Sequence, residues 1–334
     1  MLGRHQQKLV DKYGIDYILK DLAPITKDRK LVSNLECPMI DIEPNKENDT
    51  LAKFSCNQEI APILKDNGFV ALSLGNNHIF DFGEQGFIST KLNLKKNSIE
   101  YFGAGENSLE ALKPSIINIS GRKLGFHSFS FTRKATRSSA GVAYLYDKSI
   151  FSTINKTKQK VDFLIIMPHS GIELFEYPLD RDRNIYKKMI ESGADIVVGS
   201  QPHCVQAHEY HNNKNIYYST GDLLFDHFHN ETWKDFNSEV SHVKKYSLSP
   251  NRNLPFYSLA ILIDIKDDRL VVNHEPIFNK DGYNPRLLNK KEKIKWNMMF
   301  DRLNKDLIES PEVEKQRKEI EKKLLKDLKK RAII

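Results

Sequence analysis

The chain lacks any long apolar run: its longest, such as Phe163 to Pro168, are far too short to cross a bilayer. Its first twenty residues carry Asp11 and Asp16 and no apolar core segment, so neither a signal peptide nor a membrane anchor is expected there. Cysteine is scarce. Cys37, Cys56 and Cys204 form no Cys-x-x-Cys pair, and their odd number cannot complete a disulfide set, which points to a reducing cytoplasm. Long-period repeats, low-complexity stretches and a Pro/Gly-rich interdomain linker are also missing. What is present is an ordinary globular composition. With 334 residues, 40% of them hydrophobic, the chain can bury a full core as one large α/β domain or two smaller ones.

Charge is unevenly placed. Residues 286–334 hold 16 Lys and Arg against 9 Asp and Glu, which accounts for the whole net charge of +7 and leaves residues 1–285 balanced at 35 against 35. This division sets the expected organisation, a domain over 1–285 followed by a Lys-rich helical tail over 286–334. Ser310-Pro311-Glu312 reads as a helix start, with an N-cap, a proline at the first position and an acid in the first turn. Ile320, Leu324, Leu325 and Leu328 then share one face. Such a helix could meet an anionic lipid surface, nucleic acid or a polyanion. Charge runs are more often the solvated face of a packed helix, and that reading is preferred, with nucleic acid the least favoured partner.

Strand signals alternate with helical ones through the body. Strands are predicted at 30–35, 69–74, 114–119, 123–129, 162–167, 195–199, 215–219 and 257–265, and helices at 57–67, 84–97, 106–112 and 180–192. This alternation predicts an α/β fold with a largely parallel sheet. Residues 227–255 read as a long polar insertion that could cover a site.

Five apolar strands finish in residues able to bind a ligand. They lead to Asn34-Leu35-Glu36, to Asn76-Asn77-His78, to His169-Ser170-Gly171-Ile172-Glu173, to Ser200-Gln201-Pro202-His203 and to Gly221-Asp222. The carboxyl ends of strands line the ligand crevice in open α/β sheets, so these scattered tips are expected to converge. Imidazole, carboxylate and amide oxygen together suit Zn, Mn or Fe better than Ca. Each tip has a bland reading too: Asn76 and Asn77 could simply build a turn, and His169 could be a satisfied histidine beneath a loop. The coincidence of three histidines with Asn77 and Glu36 at one end of successive strands favours a site.

The ordered stretches N-L-E (34–36), L-G-N-N-H-I-F-D-F-G (74–83), F-G-A-G-E-N (102–107), P-H-S-G-I-E (168–173), G-A-D-I-V-V-G-S-Q-P-H-C-V-Q (193–206) and Y-Y-S-T-G-D (217–222) resemble successive motifs of the CapA/PgsA family. These are bacterial capsule or poly-γ-glutamate synthesis proteins with a domain related to calcineurin-like metallophosphoesterases. The resemblance covers roughly residues 1–280. It implies a four-layer αββα sandwich of two mixed sheets with the site at the strand ends. It further implies Asn77 as a metal-binding amide, His78 as the histidine that protonates a leaving group with Asp81 beside it, His169 and His203 as ligand histidines, and Glu36 as an acidic ligand or bridge. Asn34, Asn76, Glu173, Gln201, Glu209 and Asp222 are expected to support those ligands or meet substrate, with Glu173 and Glu209 hydrogen-bonding the histidines.

Three positions depart from the family pattern. Members usually open with a strand ending in Gly-Asp before a Met-Leu-Gly-Arg-like stretch, and this chain begins at that stretch. The expectation is an upstream start, which would also hold any membrane anchor, or a lost ligand. Gln201 stands where the family commonly has histidine, and Asp222 where it has asparagine. Two function classes follow. One is a divalent-metal hydrolase or transferase acting on an anionic polymer or its precursor. The other is a metal-free binding or processing component of an envelope-polymer assembly that works with other capsule-synthesis proteins.

Overall fold

The computed structural model describes residues 4–41, 53–225, 256–279 and 284–330; the polar insertion expected at 227–255 lies outside the described residues. The chain opens with helices α1 (Arg4–Tyr13), α2 (Ile15–Leu19) and α3 (Ala23–Thr26). Strand β1 (Leu31–Asn34) follows, then the short parallel pair β2 (Met39–Ile40) and β3 (Cys56–Asn57). Helix α4 (Ile60–Asp66), β4 (Phe69–Ser73), α5 (Gly83–Lys96) and β5 (Glu100–Phe102) complete a parallel sheet of order β1-β4-β5. The helical crossovers explain the parallel pairing, because a strand that re-enters beside its predecessor in the same direction needs a long connection.

Next come β6 (Ala104–Gly105), α6 (Ser108–Ala111), β7 (Ser115–Ile119), β8 (Arg122–His127) and β9 (Gly141–Val142), with β6 and β9 forming a small antiparallel pair. Helix α7 (Ser149–Lys158), β10 (Phe163–Ile166), α8 (Asp180–Glu191), β11 (Ile196–Val198), β12 (His208–His211) and β13 (Lys214–Tyr217) build a six-stranded sheet of order β12-β13-β11-β10-β8-β7. Its four inner strands are parallel and its two edge strands antiparallel. A hairpin of β14 (Tyr257–Lys266) and β15 (Arg269–Phe278) follows, with β16 (Arg286–Leu287) paired to β15. Its turn, Asp267-Asp268, has φ of 47° and 58°, the positive values that a two-residue hairpin turn of this hand requires.

The tail forms α9 (Lys290–Glu309) and α10 (Pro311–Lys330). A capping box at Asn289 and Glu292 starts α9. Trp296, Phe300, Leu303, Leu307, Val313 and Ile320 are buried in the same apolar cluster as the six-stranded sheet. Trp296 stacks on Phe300 with ring centroids 5.4 Å apart and lies 4.9 Å from Tyr257. Arg317 is buried, pairs with Asp180 at the start of α8 and donates to Leu307 O at 3.2 Å. The lysines therefore cover the outer face of a packed helix pair. A second apolar cluster lies around β1, β4 and α1 to α5. No helix among the described residues is long and apolar enough to cross a membrane.

Trp296→Ala should destabilise the protein by about 3–5 kcal/mol, the range for removing a buried large aromatic, read as a lower urea midpoint. His127 is fully buried in β8, with Nε2 2.9 Å from Thr157 Oγ1 and no partner at Nδ1. Burial lowers its imidazole from 6.5 to about 4. Below pH 6.5 the unfolded chain takes up a proton that the native chain refuses until about pH 4, so stability falls with pH across that window. The loss approaches about 3 kcal/mol at about 1.4 kcal/mol per pKa unit. His127→Leu should flatten that part of a stability-against-pH curve, and an unchanged slope would refute the assignment.

Candidate functional site

The tips of the two sheets meet because their backbones come unusually close. A Cβ at Gly75 would fall 2.4 Å from Ser128 Oγ and 3.2 Å from Gly103 O, so only glycine lets the turn after β4 lie against the end of β8. Asn76 then fixes that turn. Buried at 1% exposure, it donates to Asn34 Oδ1 (3.0 Å) and Leu35 O (2.8 Å), while its Oδ1 accepts from the amides of His78 (3.1 Å) and Ile79 (3.0 Å). Asn76 builds backbone. Asn77, the next residue, points its Oδ1 at His169 Nε2, 2.8 Å away.

Glu36 leaves β1 into this junction and is 5% exposed. Its Oε2 accepts from Asn34 Nδ2 at 3.1 Å. Its Oε1 has no hydrogen-bond partner and faces His169 Nε2 at 3.4 Å and His203 Nε2 at 3.9 Å. Burial alone would raise this carboxyl, but the imidazoles of His169, His203 and His78 outweigh it and hold Glu36 well below the usual range.

His169 follows β10, its amide bonded to Phe129 O at 2.9 Å and its Nδ1 2.9 Å from Ser200 Oγ. Since Asn77 Oδ1 and Glu36 can only accept, the network puts the proton of a neutral His169 on Nε2. His203 is held by Asp222, whose two oxygens lie 3.1 and 3.0 Å from Nδ1. Burial opposes its charge; Asp222, Glu36 and Glu173 prevail and raise it to about 10. The loops carrying these histidines interlock: Leu174 N donates to Pro202 O at 2.7 Å, and a Cβ at Gly171 (φ 133°) would sit 2.8 Å from Pro202 Cγ. Gln201 Nε2 reaches Glu173 Oε1 at 3.5 Å.

His78 lies at the rim. Its Nδ1 is 2.8 Å from Asp81 Oδ2, which also accepts from Phe54 N at 2.7 Å. Its ring is 4.1 Å from that of Phe54, Phe54 meets Phe225 edge-on at 5.5 Å, and Phe225 is 4.6 Å from His203. The two aromatic rings thus join the two histidines. Neither aromatic is marked in the sequence, whereas Ser200 belongs to the strand tip Ser200-Gln201-Pro202-His203 and here meets His169.

The structure therefore brings Asn34, Glu36, Asn76, Asn77, His78, Asp81, Glu173, Gln201, His169, His203 and Asp222 into one neighbourhood. Glu209 is elsewhere and, contrary to the expectation, bonds Arg183 and Tyr218 rather than the histidines of the site. Its carboxylate on β12 accepts from Arg183 (2.8 and 2.9 Å) and Tyr218 (2.8 Å) and pairs with Lys187 (2.7 Å), which fills both oxygens. Burial works against ionisation, but those donors hold it down at about 2.

By donor type, Glu36, Asn77, His169 and His203 suit a divalent first-row cation, and the unpartnered buried Glu36 Oε1 is the atom such an ion would satisfy. They are not a closed cage: among the described residues no three His, Cys, Asp or Glu side chains form a ready-made metal group.

The sequence model "Bacterial capsule synthesis protein PGA_cap" matches residues 1–227. The chain is 31% identical over 237 residues to the capsule biosynthesis protein CapA of Bacillus anthracis, covering 68% of this chain and 58% of that one. It is also 31% identical over 232 residues to the PGA biosynthesis protein CapA of Bacillus subtilis, covering 68% and 61%. The chain thus spans about three fifths of the length of these relatives. In fold it is similar to the crystal structure of a hypothetical protein from Thermus thermophilus, with a TM-score of 0.50 at 13% identity over 80% of this chain and 94% of that one. The match over two thirds of the chain, with the motifs at the strand tips, places this protein in the bacterial capsule synthesis family PGA_cap.

Proposed function

We propose that this chain is the metallophosphoesterase-like unit of an envelope-polymer synthesis protein, and that it hydrolyses or transfers a phosphoryl or acyl group on an anionic polymer or its precursor. The observation that carries this reading is the convergence on the buried Glu36 carboxylate of His169 Nε2 at 3.4 Å and His203 Nε2 at 3.9 Å, with Asn77 Oδ1 2.8 Å from His169 Nε2. A bound divalent ion (Mn, Fe or Zn) would be held by Glu36, Asn77, His169 and His203 and would supply Lewis acidity and water activation. Two buried clusters, each with its own sheet and helices, support a four-layer αββα arrangement. The unit is taken as residues 1–285 and the Lys-rich tail as 286–334, and that tail could meet a polyanion, a membrane surface or another capsule-synthesis protein.

The chain's own residues divide the remaining work. Asp81 takes the Nδ1 side of His78, so that Nε2 is the nitrogen left to deliver a proton to a leaving group. Phe54 and Phe225 keep water from the rings of His78 and His203. Asp222 and Ser200 fix the outer nitrogens of His203 and His169, which sets the direction of both rings.

The ion pairs of His169 with Glu36 (3.4 Å) and of His203 with Asp222 (3.0 Å) also favour a second, metal-free reading. In it His78, His169 and a carboxylate such as Glu36 or Asp222 move protons in a binding or processing component.

Elemental analysis separates the two. The purified protein should carry Mn, Fe or Zn, and Glu36→Gln and His169→Ala should each lower that content at least severalfold at unchanged fold. Equal content in wild type and both variants refutes a metal held there. His78→Ala should retain the metal and reduce kcat by roughly 10²–10⁴-fold, measured with a chromogenic phosphodiester. A variant as active as wild type would remove His78 from the chemistry.

A further inference from the structure

The first amides of an α-helix have no acceptor within the helix, and a side chain at the N-cap usually supplies one. Helix α8 has no such residue, because Leu179 stands at its N-cap position and makes no side-chain cap. The acceptor comes from the other end of the chain. Glu321 Oε1, on α10, lies 3.2 Å from Arg181 N, and Arg317, one turn earlier on the same helix, is buried against Asp180. An acid at a helix start also suits the positive end of its dipole. The family match ends at residue 227, so this cap is supplied from outside the matched region.

The turn held in this way carries Asp182. Its carboxyl is buried at 2% exposure, and its Oδ1 accepts from Ser170 Oγ at 3.2 Å and from Tyr146 Oη at 3.1 Å. Arg181 lies over the Tyr146 ring at 4.9 Å, with its Nε 3.6 Å from the same Asp182 oxygen. Asp182 Oδ2 has no hydrogen-bond partner among the described residues, so the acid is engaged through Oδ1. Ser170 is the residue after His169. Its amide donates to Ser200 O at 3.1 Å, and the amide of His169 donates to Phe129 O at 2.9 Å. These backbone bonds fix the tip along the sheet, and the bond to Asp182 fixes it from the helix side.

We infer that α10 positions the His169 tip: Glu321 caps α8 from the far end of the chain, and Asp182, a positioning residue in the capped turn, holds Ser170 in place beside His169. A frayed first turn would withdraw Asp182 from Ser170 Oγ and leave the tip on its backbone bonds alone. The inference rests on His169 belonging to the site and holds for either reading of the chemistry there.

The test is hydrogen exchange of the full chain, followed amide by amide by NMR, in wild type, Glu321→Ala, Glu321→Gln, Asp182→Ala and Glu314→Ala, the last removing an exposed α10 acid that pairs with Lys318. Three amides report: Arg183, bonded to Leu179 O in the first turn of α8, and His169 and Ser170 at the tip. Glu321→Ala should speed all three by roughly fivefold or more, the factor that corresponds to a typical lost cap. Glu321→Gln, which keeps an acceptor, and Glu314→Ala should exchange as wild type does. Asp182→Ala should speed His169 and Ser170 but not Arg183. Amides of β4, in the other sheet, should keep wild-type rates throughout, which separates a local release from a general loss of stability. If Glu321→Ala speeds Arg183 while His169 and Ser170 are unchanged, α8 is capped without positioning the tip, and the inference is overturned. It is equally overturned if β4 speeds together with the three reporters, or if none of them responds.

Discussion

A carboxylate removed from water must be compensated at close range, and the arrangement around Glu36 is organised by that need. Its burial would favour the neutral acid. Three imidazoles instead keep it ionised, two of them near enough to touch a common guest. Each of those rings is then fixed through its Nδ1: His169 by Ser200, His203 by Asp222, His78 by Asp81. Releasing any one partner would free a ring and leave the carboxylate charge less well matched.

Close backbone approach makes this gathering feasible. Gly75 lets the two sheets touch at their tips, Gly171 lets the His169 loop pass Pro202, and Asn76 satisfies four polar groups that the tight turn would otherwise strand. The strands supply direction and these few contacts supply position. Helix α8 extends the same logic outward, since Arg317 of the tail pairs with Asp180 at its first turn.

The site was legible in the sequence because apolar strands ending in Asn, Glu and His are a local signal, and parallel sheets put such ends on one side. Glu209, expected from the family resemblance, is placed elsewhere. That acid follows Gln201-Pro202-His203 closely, but it lies on an antiparallel edge strand beside Arg183 and Lys187, and only the tertiary fold brings those cations to it. Phe54 and Phe225 went unread for a related reason: an aromatic residue in a polar stretch carries no mark of which histidine it will face. Strand β15 was missed because the Pro276 within it weakens a strand pattern, whereas in the structure it stands opposite Leu259 in an unbroken ladder. The tail reads as helical over 286–334, but the lysines of α9 hide its buried row of Trp296, Phe300, Leu303 and Leu307.

That buried row changes what the basic C-terminal segment is for the molecule. Anyone cutting the chain at the point where its charge composition changes would strip an aromatic lining from the six-stranded sheet and expose Tyr257 and the inner face of the hairpin to solvent. The lysines are then passengers on a structural brace. A fusion partner or surface tether is better attached beyond α10, where it leaves the brace intact.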